Sequence, residues 1–485
     1  MYYHSTRSPL PRVSGARAVL EGIAPDGGLY VLERLPRLSG PESLRGSTTD
    51  MACRVLQALL PDIPGMELLV EQAYSGKFSA PGLTPTVEAG PFTVLELFHG
   101  PTSAFKDVAL CMLPRLLTAA KAQAGMKQEI RILTATSGDT GKAALEGFRD
   151  VPGVSVCVFY PYGGVSAVQR AQMVTQQGKN VAVCAVRGNF DDAQTGVKKI
   201  FAACQGASLP FALSSANSIN IGRLAPQVTY YYKAYRDLCD RGRIRYGDEV
   251  NFAVPTGNFG DILAGFLAKQ IGLPVGQLIC ASNANNVLTD FIRTGTYDRR
   301  RPLHKTQSPS MDILVSSNLE RLLYLLSGDC ALVSSCMKRL AEQGFYTVSP
   351  DLLQAIRSHF WAGCCDDKQA RDVIRRVWDA HHYLCDPHTA AGWTAAEVYQ
   401  AETADPRPMV VLSTASPYKF PAAVLQALGE EGQADDFARM KRLEAITGLP
   451  IPAHLQQLQQ LPELHTGVID QEEMQAFALN FRTKE

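Results

Sequence analysis

In the run HGPTSAFKDVAL, His99 to Leu110, a single lysine, Lys106, stands at the start of a segment patterned as a buried helix. Most lysines snorkel their ammonium group to water. One held in a partly desolvated pocket loses charge instead, and can then act as a nucleophile or a base. Two further stretches could serve such an amine. In ILTATSGDTGKAALEGF an apolar run ends at Ser137-Gly138-Asp139-Thr140-Gly141, and helical patterning begins at about Lys142. In NFAVPTGNFGDILAGFLAKQIG a second apolar run ends at Gly257-Asn258-Phe259-Gly260, and a helix is expected from Asp261. Free N–H groups at a helix start, with the helix dipole behind them, favour an anion. The glycines allow close backbone approach, and the hydroxyls of Ser137 and Thr140 add donors. Capping of the helix by Asp139 or Thr140 is the alternative reading of the first loop. A Walker A loop is excluded, because G-x-x-G-K-A lacks both the four-residue span and the hydroxyl after lysine.

A lysine with two anion cradles permits a specific chemistry. The amine can form a Schiff base with pyridoxal 5'-phosphate, one helix start can hold the cofactor phosphate, and the other can hold an amino-acid carboxylate. The ring nitrogen then needs a partner, and VVLSTASPYKF offers the hydroxyls of Ser413 and Thr414. A neutral hydroxyl would not force that nitrogen to stay protonated. Simple strand termination is the alternative role for the pair.

The elements that must position these residues are short β-rich runs at 93–98, 129–136, 154–161, 180–188, 249–257, 278–283 and 409–416, alternating with helical patterns. That rhythm predicts an α/β fold with a mostly parallel sheet covered on both faces and ligands beyond the strands' carboxyl ends. The stretch SAPGLTPTVEAGP reads as a boundary, giving an N-terminal unit at 1–80, a catalytic region at 81–430 and a helical extension at 431–485 with no evident chemistry.

Bulk composition narrows the function. The 485 residues are 46% hydrophobic and 19% charged, with 47 basic against 47 acidic side chains. No basic field favours nucleic acid and no polybasic block favours a membrane surface. The twelve cysteines form no C-x-x-C pair, and adjacent Cys364 and Cys365 suit neither a disulfide framework nor zinc, so no metal is expected. The N-terminus lacks an apolar signal segment. The longest uncharged run, 151–169, is broken by Pro152, Pro161 and Gly163-Gly164. A soluble cytoplasmic chain working on small molecules is expected.

Taken in order, STR, APDGGLY, HGPTSAFKD, TSGDTGKAA, NSINIGRLAPQ, PTGNFGDILAG, SSNLERL and LSTASPYKF resemble the threonine synthase family from about residue 5 to 420. The resemblance implies two mostly parallel-sheet α/β subdomains of fold type II, similar to the tryptophan synthase β chain, with an N-terminal domain and a C-terminal helical extension. It implies a pyridoxal-phosphate lyase that turns O-phospho-L-homoserine and water into L-threonine and phosphate. By the same resemblance Lys106 carries the cofactor, Gly257, Asn258, Phe259, Gly260 and Asp261 hold its phosphate, and Thr414 faces its ring nitrogen. Ser137, Gly138, Asp139, Thr140 and Gly141 receive the substrate carboxylate. The family loop commonly ends in asparagine where this chain has Asp261, whose carboxylate must face away from a phosphate or cap the helix.

For the substrate phosphate, Asn217, Ser218, Asn220 and Arg223 form one candidate set and Lys419 another, Arg being suited to bidentate phosphate recognition. His99 and His388 read as structural. Ser317 with Glu320 has capping-box spacing, Tyr230, Tyr231 and Tyr232 read as helix packing, and APDGGLY reads as a turn. Two alternatives remain: a phospholyase or dehydratase releasing a 2-oxo acid from the same site, and a non-catalytic anion- or nucleotide-binding protein, which leaves Lys106 unexplained.

Overall fold

A computed structural model describes residues 1–204, 209–430, 432 and 435–482. Among these residues a six-stranded sheet runs in the order Phe360–Cys364, Val275–Ser282, Val250–Pro255, Met409–Ser413, Phe92–Glu96 and Thr86–Ala89. Its pairs are parallel except the last, an antiparallel hairpin turned at Gly90-Pro91. A five-stranded, all-parallel sheet runs Val468–Ile469, Val181–Val186, Val154–Pro161, Glu129–Ala135 and Phe211–Ser214. Strands Val154–Pro161, Val181–Val186 and Val250–Pro255 are buried along their whole length, as expected of parallel strands sandwiched between helices. All seven runs read as strands are strands. The stretch read as a boundary contributes strand Thr86–Ala89, and the tail contributes strand Val468–Ile469.

The two sheets meet through the helices that follow their strands. Helix Lys106–Gln123 is buried over most of its length, including Leu110, Leu113 and Leu117. Helix Asp139–Phe148 packs on it so closely that a Cβ on Gly147 would fall onto the Leu110 carbonyl oxygen. Glycine there lets the lysine helix and the helix of the first loop touch backbone to backbone. The N-terminal segment pairs Tyr3–Ser5 with Tyr30–Leu32 and packs helices Gly15–Glu21, Thr48–Leu59 and Met66–Tyr74 against the same core. No described helix is long and apolar enough to cross a membrane.

The Ser317–Glu320 capping box is not formed. The helix begins at Leu319 with Asn318 as its cap residue, and Glu320 is turned to the N-terminal segment, accepting from Thr6 at 2.6 Å and from Arg7 at 2.8 and 2.9 Å. The STR motif therefore ties residues 314 positions apart in sequence. In APDGGLY, Asp26 accepts from Ser5 Oγ and the Gly28 N–H, which closes the turn.

Candidate active site

The motifs converge on a cavity of about 580 Å³ at the carboxyl ends of both large sheets, a size suited to a small-molecule ligand. Lys106 lies on its wall, 7% exposed. The turn before it is laced to the end of strand Met409–Ser413: the Phe105 N–H donates to the Thr414 carbonyl at 2.8 Å and the Ser416 N–H to the Ser103 carbonyl at 3.1 Å. Asp107 folds back on the turn, accepting from the Thr102 N–H and hydroxyl at 2.9 and 2.5 Å. Burial raises the Asp107 carboxyl to about 6 against those bonds. A Cβ on Gly100 would strike the Asp107 side chain, which accounts for the glycine in the motif. Ser103 holds a left-handed φ of 58°, a strained conformation for a side-chain-bearing residue.

Burial pushes the Lys106 amine below the usual lysine range; Asp139 opposes this, and Lys419 and Arg223 reinforce it. Its Nζ lies 3.4 Å from Asp139 Oδ2 and 3.3 Å from Ser310 Oγ.

The first loop departs from its expected form. The helix starts at Asp139, three residues earlier than read, and the Gly138 and Gly141 N–H groups donate to the Thr136 hydroxyl at 3.0 and 2.9 Å. Those two donors are spent inside the protein, and neither glycine lines the cavity; Ser137, Asp139 and Thr140 do. The Asp139 carboxylate points inward to Lys106, to Lys419 at 2.5 Å and to Gln169 at 3.0 Å. Burial alone would raise its pKa, but Lys419 and Lys106 hold it well below the carboxylate range.

The second loop keeps its expected form. Gly257, Asn258, Phe259, Gly260 and Asp261 all line the cavity, and the helix runs from Gly260 to Ile271. Phe259 sits at φ 60°, the second strained residue of the site. A Cβ on Gly257 would lie 2.6 Å from the Ser310 carbonyl oxygen, whereas one on Gly260 would meet nothing closer than 3.6 Å. The loop is braced from outside by SSNLERL: Ser316 Oγ donates to the Gly257 carbonyl at 2.8 Å, and the Asn318 backbone and side-chain N–H groups donate to the Asn258 carbonyl at 3.1 Å. Asp261 faces away, accepting from the Tyr230 and Tyr231 hydroxyls at 2.6 and 3.0 Å. Burial raises its carboxyl to about 6. The two tyrosines therefore do more than pack a helix.

Thr414 lines the cavity, while Ser413 is turned away and accepts from the Thr389 hydroxyl at 3.0 Å. Arg223 is buried on the wall. Nη1 donates to the Ala216 carbonyl at 2.8 Å, Nε has no partner, and burial pushes the guanidinium down to about 10. Among the described residues no carboxylate pairs with it. Asn217 and Ser218 line the cavity beside it.

Two candidates for the phosphate are corrected. Asn220 is fully buried, caps a short helix through the Gly222 N–H at 2.8 Å and donates to the Val19 carbonyl at 3.0 Å. Lys419 is also fully buried, committed to Asp139 and, at 3.1 Å, to the Thr102 carbonyl. His99 lies outside the lining residues, bonded to Glu96 at 2.7 Å. His388 faces the cavity but is held by Asp386 at 2.7 Å through Nδ1 and accepts from the Ser310 N–H at 3.3 Å. The tail, read as having no chemistry, sends His454 to the lysine turn, 2.8 Å from Ser103 Oγ. Burial, with Lys142 and Lys419 nearby, pushes that imidazole down to about 4, so it is neutral at pH 7. Nothing local in sequence announces a contact across 351 residues.

The residues present fit pyridoxal phosphate. A desolvated amine, a glycine loop open at Gly260 toward the cavity, a hydroxyl at Thr414 and a buried guanidinium with no carboxylate partner among the described residues together match an aldehyde, a phosphate, a ring nitrogen and a second anion. Comparison with known proteins agrees. Residues 78–415 match the family profile "Pyridoxal-phosphate dependent enzyme", residues 2–74 "Threonine synthase N terminus" and residues 389–477 "Threonine synthase, C-terminal". Human threonine synthase-like 1 is 40% identical over 434 residues, covering 85% of this chain, which spans only 58% of that relative's length. Threonine synthase of Pseudomonas aeruginosa is 41% identical, over 88% of this chain and 90% of its own. The solved structure of pyridoxal-phosphate-bound threonine synthase from Brucella melitensis superimposes with a TM-score of 0.86 at 39% identity, over 99% of this chain and 100% of its own. The chain belongs to the threonine synthase family of pyridoxal-phosphate-dependent enzymes.

Proposed function

We propose that the chain converts O-phospho-L-homoserine and water into L-threonine and inorganic phosphate. The observation that carries this reading is a desolvated Lys106 and a buried Arg223, with no carboxylate partner among the described residues, on the walls of one cavity. A substrate with an amino-acid end and a phosphate end answers both.

Pyridoxal phosphate, when bound, supplies an electron sink for charge developing on the substrate carbon beside the amine. The N–H groups of the Gly257–Asp261 loop would hold its phosphate, the Thr414 hydroxyl would serve its ring nitrogen and Lys106 would anchor it. Once released, Lys106 takes the proton from the substrate Cα and later returns it, a role that needs the neutral amine favoured by burial. Arg223, with Asn217 and Ser218, binds the substrate phosphate and orients it for departure. The remaining N–H groups of the Ser137–Thr140 turn receive the substrate carboxylate, which tolerates Asp139 because Lys419 neutralises it.

The test is product analysis with purified protein, pyridoxal phosphate and O-phospho-L-homoserine. Threonine and phosphate in equal amounts, with both lost in Lys106→Ala, support the reading. Phosphate with 2-oxobutyrate instead of threonine moves the chain to the phospholyase alternative. That alternative is kept because threonine synthase-like 1 is as similar to this chain as the named synthases are.

A further inference from the structure

Lys419 is a fully buried ammonium that does not line the cavity, so contact with a ligand does not explain it. Its Nζ lies 2.5 Å from Asp139 Oδ1 and 3.1 Å from the Thr102 carbonyl in the lysine turn. Asp139 therefore has two lysines on one carboxylate, Lys419 at 2.5 Å and Lys106 at 3.4 Å. The closer, better-bonded partner is the one with no other task. An aspartate alone beside Lys106 would stabilise its ammonium form, which defeats a base. A lysine alone there would drive the amine off its resting place by repulsion.

We propose that Asp139 and Lys419 act as one charge clamp on Lys106: the carboxylate receives the lysine amine whenever it is detached from cofactor, and the second ammonium keeps that carboxylate from holding the amine as a permanent cation. When Lys106 takes a proton from substrate, the proton stays on its nitrogen and the carboxylate remains ionised, shared between two cations. When the proton is returned, Asp139 falls back on Lys419 alone, so no charge is left buried without a partner. Other groups around the amine are Arg223 and Asp261 on further walls, Asp107 turned to Thr102, Ser310 at 3.3 Å, and His388 held by Asp386. They are the same in every variant compared below. Asp139 and Lys419 are thus positioning residues, and they act on Lys106 with opposite sign.

The inference rests on Lys106 carrying the cofactor, and the experiment separates the two. Holoenzyme loaded with pyridoxal phosphate is titrated by its visible absorption, which reads the proton on the Lys106 nitrogen in its cofactor-bound imine and so senses the same two neighbouring charges, with borohydride reduction onto Lys106 confirming loading. Asp139→Asn is expected to lower the transition pH and Lys419→Met to raise it, each by about one unit or more. The double variant is expected to return toward the wild-type value, because one negative and one positive charge are removed together and the net field at the nitrogen changes little. Lys419→Met alone is decisive where Asp139→Asn does not fold: an upward shift supports the clamp, and a downward shift or none overturns it. A wild type that gains no visible absorption and no label at Lys106 defeats the parent reading instead.

Discussion

The loops Ser137–Gly141 and Gly257–Asp261 share one sequence grammar. Each ends a parallel strand, each opens a helix, and each places an aspartate in that helix's first turn. Their side chains take opposite courses. The Asp261 carboxylate turns to the Tyr230 and Tyr231 hydroxyls, which leaves the loop's backbone as the feature proposed to meet a phosphate. Asp139 turns inward to Lys106 and Lys419, and two of its loop's N–H groups are consumed by Thr136. In the proposed reading one loop is an anion cradle made of backbone, whereas the other holds charge with its side chains. What decides between them is the partner each aspartate finds: two phenols in one case, two ammonium groups in the other.

The contrast is sharpest in its pH dependence. Asp261 is raised in the fold from 3.8 to about 6, so the folded state binds more protons between those values and stability falls as pH rises through them. The penalty is absent below pH 4 and complete above pH 6, and is worth at most about 3 kcal/mol. Asp139 is lowered, so its contribution is present above its unfolded value and lost only as pH falls below about 4. In denaturant unfolding of cofactor-free protein, Asp261→Asn is expected to gain stability relative to wild type from pH 4 to pH 7. Asp139→Asn is expected to be destabilised by a constant amount over the same range. Parallel curves for the two variants would erase the distinction between the loops.

Glycine substitutions separate the loops by about 2 kcal/mol each. Gly257→Ala places a methyl 2.6 Å from the Ser310 carbonyl, so the cradle must shift and cofactor affinity is expected to fall roughly 30-fold. Gly141→Ala collides with Val158 in the five-stranded sheet and with Thr136 just beyond one of its strands, so stability is expected to fall while cofactor affinity of the folded fraction holds. Equilibrium binding of pyridoxal phosphate, set beside unfolding midpoints, distinguishes the two outcomes.

What could be read from sequence was what local pattern carries. The seven strand runs and, to within one residue, the helix expected from Asp261 follow from short apolar runs that stop at small residues, whereas the grouping of Lys106, Arg223 and Thr414 on one cavity came from the motifs and their resemblance to a family. Misreadings arose where a local motif met a stronger distant partner. Ser317 and Glu320 have capping-box spacing, but Arg7 and Thr6 offer Glu320 a charged and buried alternative worth more than an exposed cap. Asn220 looked like a phosphate ligand among polar neighbours, yet its amide serves the Gly222 N–H and the Val19 carbonyl, groups that burial would otherwise leave unsatisfied. His454 reaches Ser103 because the tail packs Met440, Leu443, Leu455 and Leu458 into the core around the six-stranded sheet, a contact with no sequence periodicity to reveal it. Lys419 was legible as a cation near the site but not as a paired one, because its partner opens the helix that follows a strand of the other sheet.

The smallest expected effect tests why the second cradle keeps its shape. Its backbone is strained at Phe259, and its carbonyls must be satisfied away from the cavity so that its N–H groups can face inward. Ser316 supplies the Gly257 carbonyl and Asn318 the Asn258 carbonyl, while Arg321 locks Asn318 at 2.6 Å and reaches the Tyr30 carbonyl of the N-terminal segment at 3.0 Å. The first loop is held from within and in the opposite sense: the Thr136 hydroxyl at its own strand end accepts from the Gly138 and Gly141 N–H groups, so it ties up donors rather than carbonyls. Ser316→Ala removes one neutral hydrogen bond, worth about 1 kcal/mol, and is expected to weaken cofactor binding about fivefold with little change in unfolding midpoint. Thr136→Val in the first loop is expected to do the reverse, lowering the midpoint while cofactor binding holds. If Ser316→Ala instead left the affinity untouched, the strained backbone at Phe259 would be held by the helix alone, and the SSNLERL segment would serve the N-terminal domain rather than the cofactor.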